Sequence, residues 1–336
     1  MATPEKHPLI HLKPRNGRKF VLIIHGGAGT ISRATSPPER QALYKTALRA
    51  ALKAGYAVLH GGGEAMDAAV AAVTVLEGEC SCELWLDSFV TFSLRLSPVQ
   101  RGKGGRIQCF WQGVTCWSTY LNRPPTPLQN ELESSIMLSK PPASHPNVPS
   151  TRRGFALTLL TRTRNPSQLA QAMYLSPEAV PHAMLSGHEA EAVGESMGIE
   201  PVDPSYFFTE RRWKEHRRGL GLPDGPYPPG QTPGEGDPSE SLDQMPTGTV
   251  GAVALDCRGC IASVTSTGGK TNKMVGRIGD TPQMGTGFWA EEWKEEHLFR
   301  KFLDKLHGRR QRRAIGVSGT GDGDVNPPSA LIVPPS

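Results

Sequence analysis

The sequence predicts a layered α/β protein. Three observations predict it. A short apolar strand opens the patterned part of the chain. Two helical segments follow it over short connections. A second group of strands returns in the C-terminal third. With 336 residues, 37% of them hydrophobic and 21% charged, the chain is long enough and apolar enough to bury a sizeable globular core.

The elements follow in order. "KFVLIIHGGAGTI" (19–31) reads as a buried strand, Val21 to Ile24, running into a glycine-rich turn. Residues 38–58 read as a helix. Pro38 and Glu39 stand at its start, and Leu43, Ala47, Leu48, Ala51, Leu52 and Gly55 recur every three to four residues on one face. "GGGEAMDAAVAAVTVLE" (61–77) is a second helix, apolar on most of its surface and therefore expected to be buried. The stretch 79–128 mixes Trp, Cys, Arg and Pro without a sustained period, and no role is assigned to it. Strands are expected at 130–139 and 153–163, and helices at 166–174 and 178–197. Residues 219–247 are so rich in Pro and Gly that they read as a flexible linker. Strands are expected at 249–256 and 260–266, a helix at 290–306, and a final strand beginning at 314.

Composition removes several function classes. The net charge of +5 is mild. The runs "RRWKEHRR" (211–218) and "GRRQRR" (308–313) come without an aromatic platform or a recognisable module. A solvated basic face explains them, and no nucleic-acid partner is expected. No apolar run reaches the ~20 residues of a membrane-spanning helix. The first twenty residues lack the apolar core of a signal peptide, so a cytoplasmic protein without membrane contact is expected. Of six cysteines, Cys257 and Cys260 have CxxC spacing. No second pair has ligand spacing and no histidine lies nearby. In "VALDCRGCIASV", Asp256 and Gly259 between two apolar runs read better as a hairpin turn than as a metal or redox site.

The C-terminal strands carry the chemistry. "MPTGTVGAVALD" leaves the linker and enters a buried-looking strand on a hydroxyl, Thr249. A hydroxyl is a weak nucleophile without a base. No "GxSxG" elbow is present, and His25 has no evident partner in the sequence. An N-terminal threonine supplies its own base, since its α-amine has a pKa near neutrality, about 7.7–8.0. Such a threonine arises only by cutting the chain just before it. The flexible linker suits that cut, as does Gly248, which tolerates a strained backbone. Thr267 lies across one hairpin from Thr249. Arg277 and Asp280, in "GRIGD", suit the carboxylate and ammonium of an amino-acid zwitterion. Thr320, Gly321 and Gly323, in "SGTGDG", offer a hydroxyl and backbone N–H groups for an oxyanion.

Taken together, "HGGAGTI", "GTVGAVALD", "TSTGGKTNK", "GRIGDTP" and "SGTGDG" resemble, in order and nearly in spacing, the plant-type asparaginases or isoaspartyl peptidases. These are N-terminal-nucleophile hydrolases with an αββα sandwich fold. The resemblance covers roughly 19–78, 130–215 and 248–325. It implies that Thr249 is the nucleophile freed by autocatalytic cleavage after Gly248, and that Thr267 hydrogen-bonds it. It implies an oxyanion hole at Thr320 and Gly321. Arg277 would bind the substrate α-carboxylate and Asp280 its α-amine, with Gly323 lining the pocket. The implied activity is hydrolysis of L-asparagine or β-aspartyl dipeptides, without a cofactor. Alternatives are a threonine-aspartase-like protease and a catalytically impaired remnant of the family. The expected organisation is an α-subunit portion, 1–248, ordered over 19–218, and a β-subunit portion, 249–336, short for its half of such a sandwich. A small amino-acid or dipeptide is the expected partner, and a dimer of processed αβ units is compatible with the family. Family members hold sodium in a loop bearing "NAG.GAV". The 79–128 segment stands in its place without that motif, so no metal is expected.

Overall fold

A computed structural model describes residues 20–27, 38–79, 90–96, 107–110, 130–208, 210–223, 248–269, 272–294 and 312–321. Two sheets lie face to face, and helices cover the outer face of the larger one. The larger sheet has six strands: β1 (Val21–Gly26), β4 (Leu132–Leu138), β5 (Gly154–Leu160), β6 (Met184–Ser186), β7 (Val250–Leu255) and β8 (Ile261–Thr267). Their order across the sheet is β1-β7-β8-β4-β5-β6. All neighbours are antiparallel except β5 and β6. The smaller sheet orders β3 (Ile107–Phe110), β2 (Val90–Leu96), β10 (Arg312–Thr320) and β9 (Phe288–Lys294), all antiparallel.

The two expected N-terminal helices are α1 (Pro38–His60) and α2 (Ala65–Glu79). α1 crosses both its neighbours at Gly55. A Cβ there would come within 2.6 Å of the Ala68 carbonyl and of Leu22 Cδ2, so only glycine fits. α2 contributes Ala68, Ala69, Ala72, Val73 and Leu76 to a core shared with Val250, Ala252, Ala254 and Val264 of the central strands. α3 (Pro166–Tyr174) starts on the proline that sequence placed there, since Pro lacks only an N–H that the first turn does not need. Between the sheets a smaller core joins Met137, Val253 and Ile261 to Phe288, Ala290 and Ala314. There the sheets approach at Gly316, whose Cβ would press on Val253 Cγ1 at 2.6 Å.

The strand expectations in the C-terminal third hold to within a residue or two at β7 and β8. Three other expectations change. The helix expected at 178–197 is a strand, β6, followed by α4 (Gly187–Ser196). Pro181 interrupts the pattern, and Gly187 has φ +60, a turn conformation rather than a helix interior. The start of the helix expected at 290–306 is strand β9. Phe288 and Ala290 alternate inward with period two, and pairing with β10 outweighs the local helical reading. Residues 295–311 lie outside the described residues. Finally, the segment 79–128 supplies β2 and β3, and β2 pairs along β10 from Val90 opposite Thr320 to Leu96 opposite Ala314. α5 (Glu210–Gly219) carries the first basic run and meets the loop at 272 through His216, which hydrogen-bonds Asn272.

Candidate active site

The β7–β8 hairpin sets the site. Asp256 organises its turn, accepting from the N–H groups of Arg258 at 2.8 Å and Cys260 at 3.0 Å, with Gly259 at φ +76. Cys257 and Cys260 form no disulfide, and burial pushes the Cys260 thiol up to about 11. Among the described residues no group of His, Cys, Asp and Glu has the makings of a metal site. From that turn the hairpin runs in strict register, ending with Val250 opposite Ser266. Thr249 precedes Val250 and Thr267 follows Ser266, so the two threonines close the same end of the sheet, both buried. On the other side β1 pairs Gly26 with Val250, which brings the glycine-rich turn against the chain before Thr249. A Cβ on Gly27 (φ +91) would stand 2.9 Å from both N and Cα of Gly248. Sequence singled out "HGG", and this close approach is the reason for its second glycine.

The Thr249 hydroxyl lies 3.5 Å from the hydroxyl of Thr281, which is fully buried. Thr281 follows Asp280, and its carbonyl accepts from Ser135 Oγ at 2.8 Å. Asp280 is thereby anchored, also buried, next in sequence to the residue whose hydroxyl meets that of Thr249. Gly287 closes the loop, because a Cβ there would collide with the backbone of Asp280 and Thr281. Its carbonyl accepts from the N–H of Gly319 at 2.8 Å and from Thr265 Oγ1 at 3.3 Å.

Beneath Thr249 a polar chain crosses between the sheets. Ser318 Oγ lies 2.8 Å from His25 Nε2 and 2.8 Å from Thr265 Oγ1. Gly251 leaves room for it, since any Cβ there would overlap both Ser318 Oγ and His25 Nε2. Burial lowers the His25 imidazole to about 4, and a backbone hydrogen bond with Thr249 offsets part of that. His25 is thus neutral at pH 7, a fixed polar link rather than a proton store. Val317 and Ser318 lie over Ser263 and Thr265. β10 therefore runs on toward the Thr249 and Thr267 end of the larger sheet, and its last residue, Thr320, is buried, with Gly321 after it. Gly323 lies outside the described residues.

Arg277 sits in the loop from 272 to 280, which two buried glutamates hold. Glu131 forms an ion pair with Lys273 at 3.1 Å and accepts from the N–H of Gly276 at 3.1 Å. Glu133, paired with Thr267 across β4 and β8, accepts from the N–H of Gly279 at 2.8 Å and from Thr158 Oγ1 at 3.2 Å. Burial raises its carboxyl, and the Gly279 N–H, Lys273, Arg277 and Thr158 partly counter that. Sequence reasoning missed Thr281, Ser318, Glu131 and Glu133. The available signals were "GRIGDTP", whose threonine follows the acid, and a glutamate at every second position of "NELESS", odd for a buried strand.

A strand-leading buried threonine, a glycine pressed on the preceding residue and an Arg/Asp loop beside it form one arrangement. The sequence model of the asparaginase family matches residues 18–84 and 148–294, more than half of the chain. The chain belongs to the asparaginase family. Among curated proteins it is 32% identical over 311 residues to an isoaspartyl peptidase of Escherichia coli (strain K12), covering 91% of this chain and 73% of that protein. It is 32% identical over 273 residues to an isoaspartyl peptidase/L-asparaginase of Mus musculus, covering 81% of this chain and 64% of that protein. The isoaspartyl peptidase/L-asparaginase of Xenopus laevis gives the same identity over the same length, 67% of that protein. The chain thus spans about two thirds to three quarters of these relatives. Among the described residues no helix is long and apolar enough to cross a membrane.

Proposed function

We propose that this member of the asparaginase family is a self-processing threonine amidohydrolase. Its substrates are L-asparagine and β-aspartyl dipeptides. The observation that carries the reading is the placement of Thr249: a buried hydroxyl at the head of β7, beside Thr281, with Gly248 clamped against Gly27. The names of the relatives, isoaspartyl peptidase and L-asparaginase, support it.

In processing, Thr249 Oγ adds to the Gly248 carbonyl and the Gly248–Thr249 amide breaks, leaving an ester. Water hydrolyses the ester, giving a Gly248 carboxylate and a free Thr249 amine. In turnover that amine takes the hydroxyl proton as Oγ attacks the substrate side-chain carbonyl. The leaving group departs with the proton, as ammonia from asparagine or as an amino acid from a β-aspartyl dipeptide. Water then releases L-aspartate and restores the hydroxyl. Thr267 orients the nucleophile, Thr320 and Gly321 hold the oxyanion, and Gly323 lines the pocket. Arg277 takes the substrate α-carboxylate, and buried Asp280 takes the α-amine, a recognition that suits free amino acids and small dipeptides better than protein chains.

The same reading divides the chain into a portion 1–248 and a portion from 249 onward; of the linker expected at 219–247, residues 224–247 lie outside the described residues. It places the two observed sheets and their helical layer in an αββα sandwich, in processed αβ units that pair as dimers in the cytoplasm. The test is ammonia release from L-asparagine and amino-acid release from a β-aspartyl dipeptide by purified, incubated protein. Hydrolysis of neither sinks the proposal.

A further inference from the structure

Glu133 takes no part in the chemistry above, yet it is among the most buried charged residues described. Its position is built rather than incidental. Opposite it on β5 the pairing shifts register between Leu132 and Ser134, and Leu159 adopts φ +58, a conformation that leucine rarely accepts. The strained backbone carries Thr158, whose hydroxyl donates to Glu133 Oε1. Such strain persists where surrounding structure imposes it, and it gathers at working sites. On the other side Glu133 Oε1 accepts the N–H of Gly279, the residue between Ile278 and Asp280. The ideal Cβ position of Gly279 lies 2.8 Å from Glu133 Oε2 and 3.0 Å from Arg277 Nη1. Carboxylate and guanidinium therefore converge on a space that only glycine leaves open.

We propose that Glu133 is a positioning residue that sets substrate affinity, fixing the backbone between Arg277 and Asp280 and turning the Arg277 guanidinium toward the site. The inference rests on the reading of Arg277 and Asp280 as the clamp for the α-carboxylate and α-amine. Its mode of action is the hydrogen bond to Gly279. A hydrogen bond to a charged group is worth enough to change affinity by roughly tenfold to a hundredfold.

Binding of L-aspartate, which carries both clamp groups, is measured by calorimetry on wild type, Glu133→Ala, Glu133→Gln and Gly279→Ala. KM and kcat for a β-aspartyl dipeptide are measured alongside. Glu133→Ala should raise Kd and KM at least about tenfold while kcat stays within about threefold. Glu133→Gln, which keeps an acceptor for the Gly279 N–H, should recover most of that loss. Gly279→Ala leaves Glu133 in place and disturbs only the shared space, so it should weaken aspartate binding even where Glu133→Ala folds poorly. Unchanged Kd in both Glu133→Ala and Gly279→Ala overturns the proposal, as does a fall in kcat without a change in Kd, or a glutamine variant as impaired as the alanine. Wild type that binds L-aspartate but hydrolyses nothing removes the amidohydrolase reading and leaves the clamp standing. Wild type that binds no L-aspartate removes both.

Discussion

Replacing Gly251 by alanine would set a methyl group on top of the polar link between the sheets. The added Cβ would overlap Ser318 Oγ and His25 Nε2 and stand 3.0 Å from the Val264 carbonyl. Neither the imidazole nor the hydroxyl has space to retreat, because both are buried and engaged, His25 with Ser318 and Ser318 with Thr265. Overpacking of this kind costs ~1–3 kcal/mol. Breaking the 2.8 Å His25–Ser318 contact and leaving buried polar atoms poorly satisfied costs a further ~1–3 kcal/mol. Against a total stability of about 5–15 kcal/mol, the sum is a large share. It corresponds to a fall in Tm of roughly 10 °C at about 2–4 °C per kcal/mol for a chain of this size class. Gly251 lies two residues beyond Thr249, so self-cleavage should slow as well. The assay is thermal unfolding by circular dichroism, with cleavage followed by intact mass. A Tm within about 2 °C of wild type would show that the sheets are not held together by this link.

Arg277→Ala should reduce kcat/KM for β-aspartyl dipeptides by about a hundredfold or more, through loss of a bidentate charged contact, while cleavage at Gly248 proceeds. Wild-type kcat/KM would refute the clamp. His25 titrates at about 4 in the fold and at 6.5 in an unfolded chain, so the folded state binds fewer protons between those values. Its contribution to stability is present above pH 6.5 and is lost as pH falls toward 4, on the order of 3 kcal/mol in all. His25→Gln should therefore flatten the decline of Tm between pH 6.5 and 4, and an unchanged slope would place His25 in contact with solvent. Thr281→Ala should slow both self-cleavage and hydrolysis, since its hydroxyl is the neighbour of Thr249 Oγ. Normal rates in both assays would leave Thr281 a packing residue.

What the sequence disclosed and what it hid divide along sequence separation. Thr249 and Thr267 could be placed side by side because one short hairpin, with Asp256 and Gly259 at its turn, fixes the register between them. Helix α1 announces its buried face by spacing, and α2 its burial by being apolar on most of its surface. Ser318 gave no such signal, because its partner His25 is 293 residues away in sequence and the contact exists only once two sheets stack. Glu133 was hidden in the same way. A glutamate in a strand reads as a solvent-facing residue until Gly279, 146 residues on, donates to it. The chain from 288 misled because "AEEWKEEHLFRKFLDKL" reads as a helix, whereas Phe288 and Ala290 have a buried sheet face to fill. In 79–128 the pairing of β2 with β10 and β3 defines the strand, so no local periodicity marks it.

The central claim is that Thr249 becomes an N-terminal nucleophile, and intact mass with N-terminal sequencing of the incubated protein tests it most directly. The expected result is a new fragment beginning Thr-Val-Gly-Ala-Val, absent from Thr249→Ala, which should lose hydrolysis as well, and formed more slowly by Thr249→Ser, which keeps a hydroxyl and an amine. An uncut chain that still hydrolyses β-aspartyl dipeptides would contradict it, because Thr249 would then have no free amine to take the proton from its own hydroxyl.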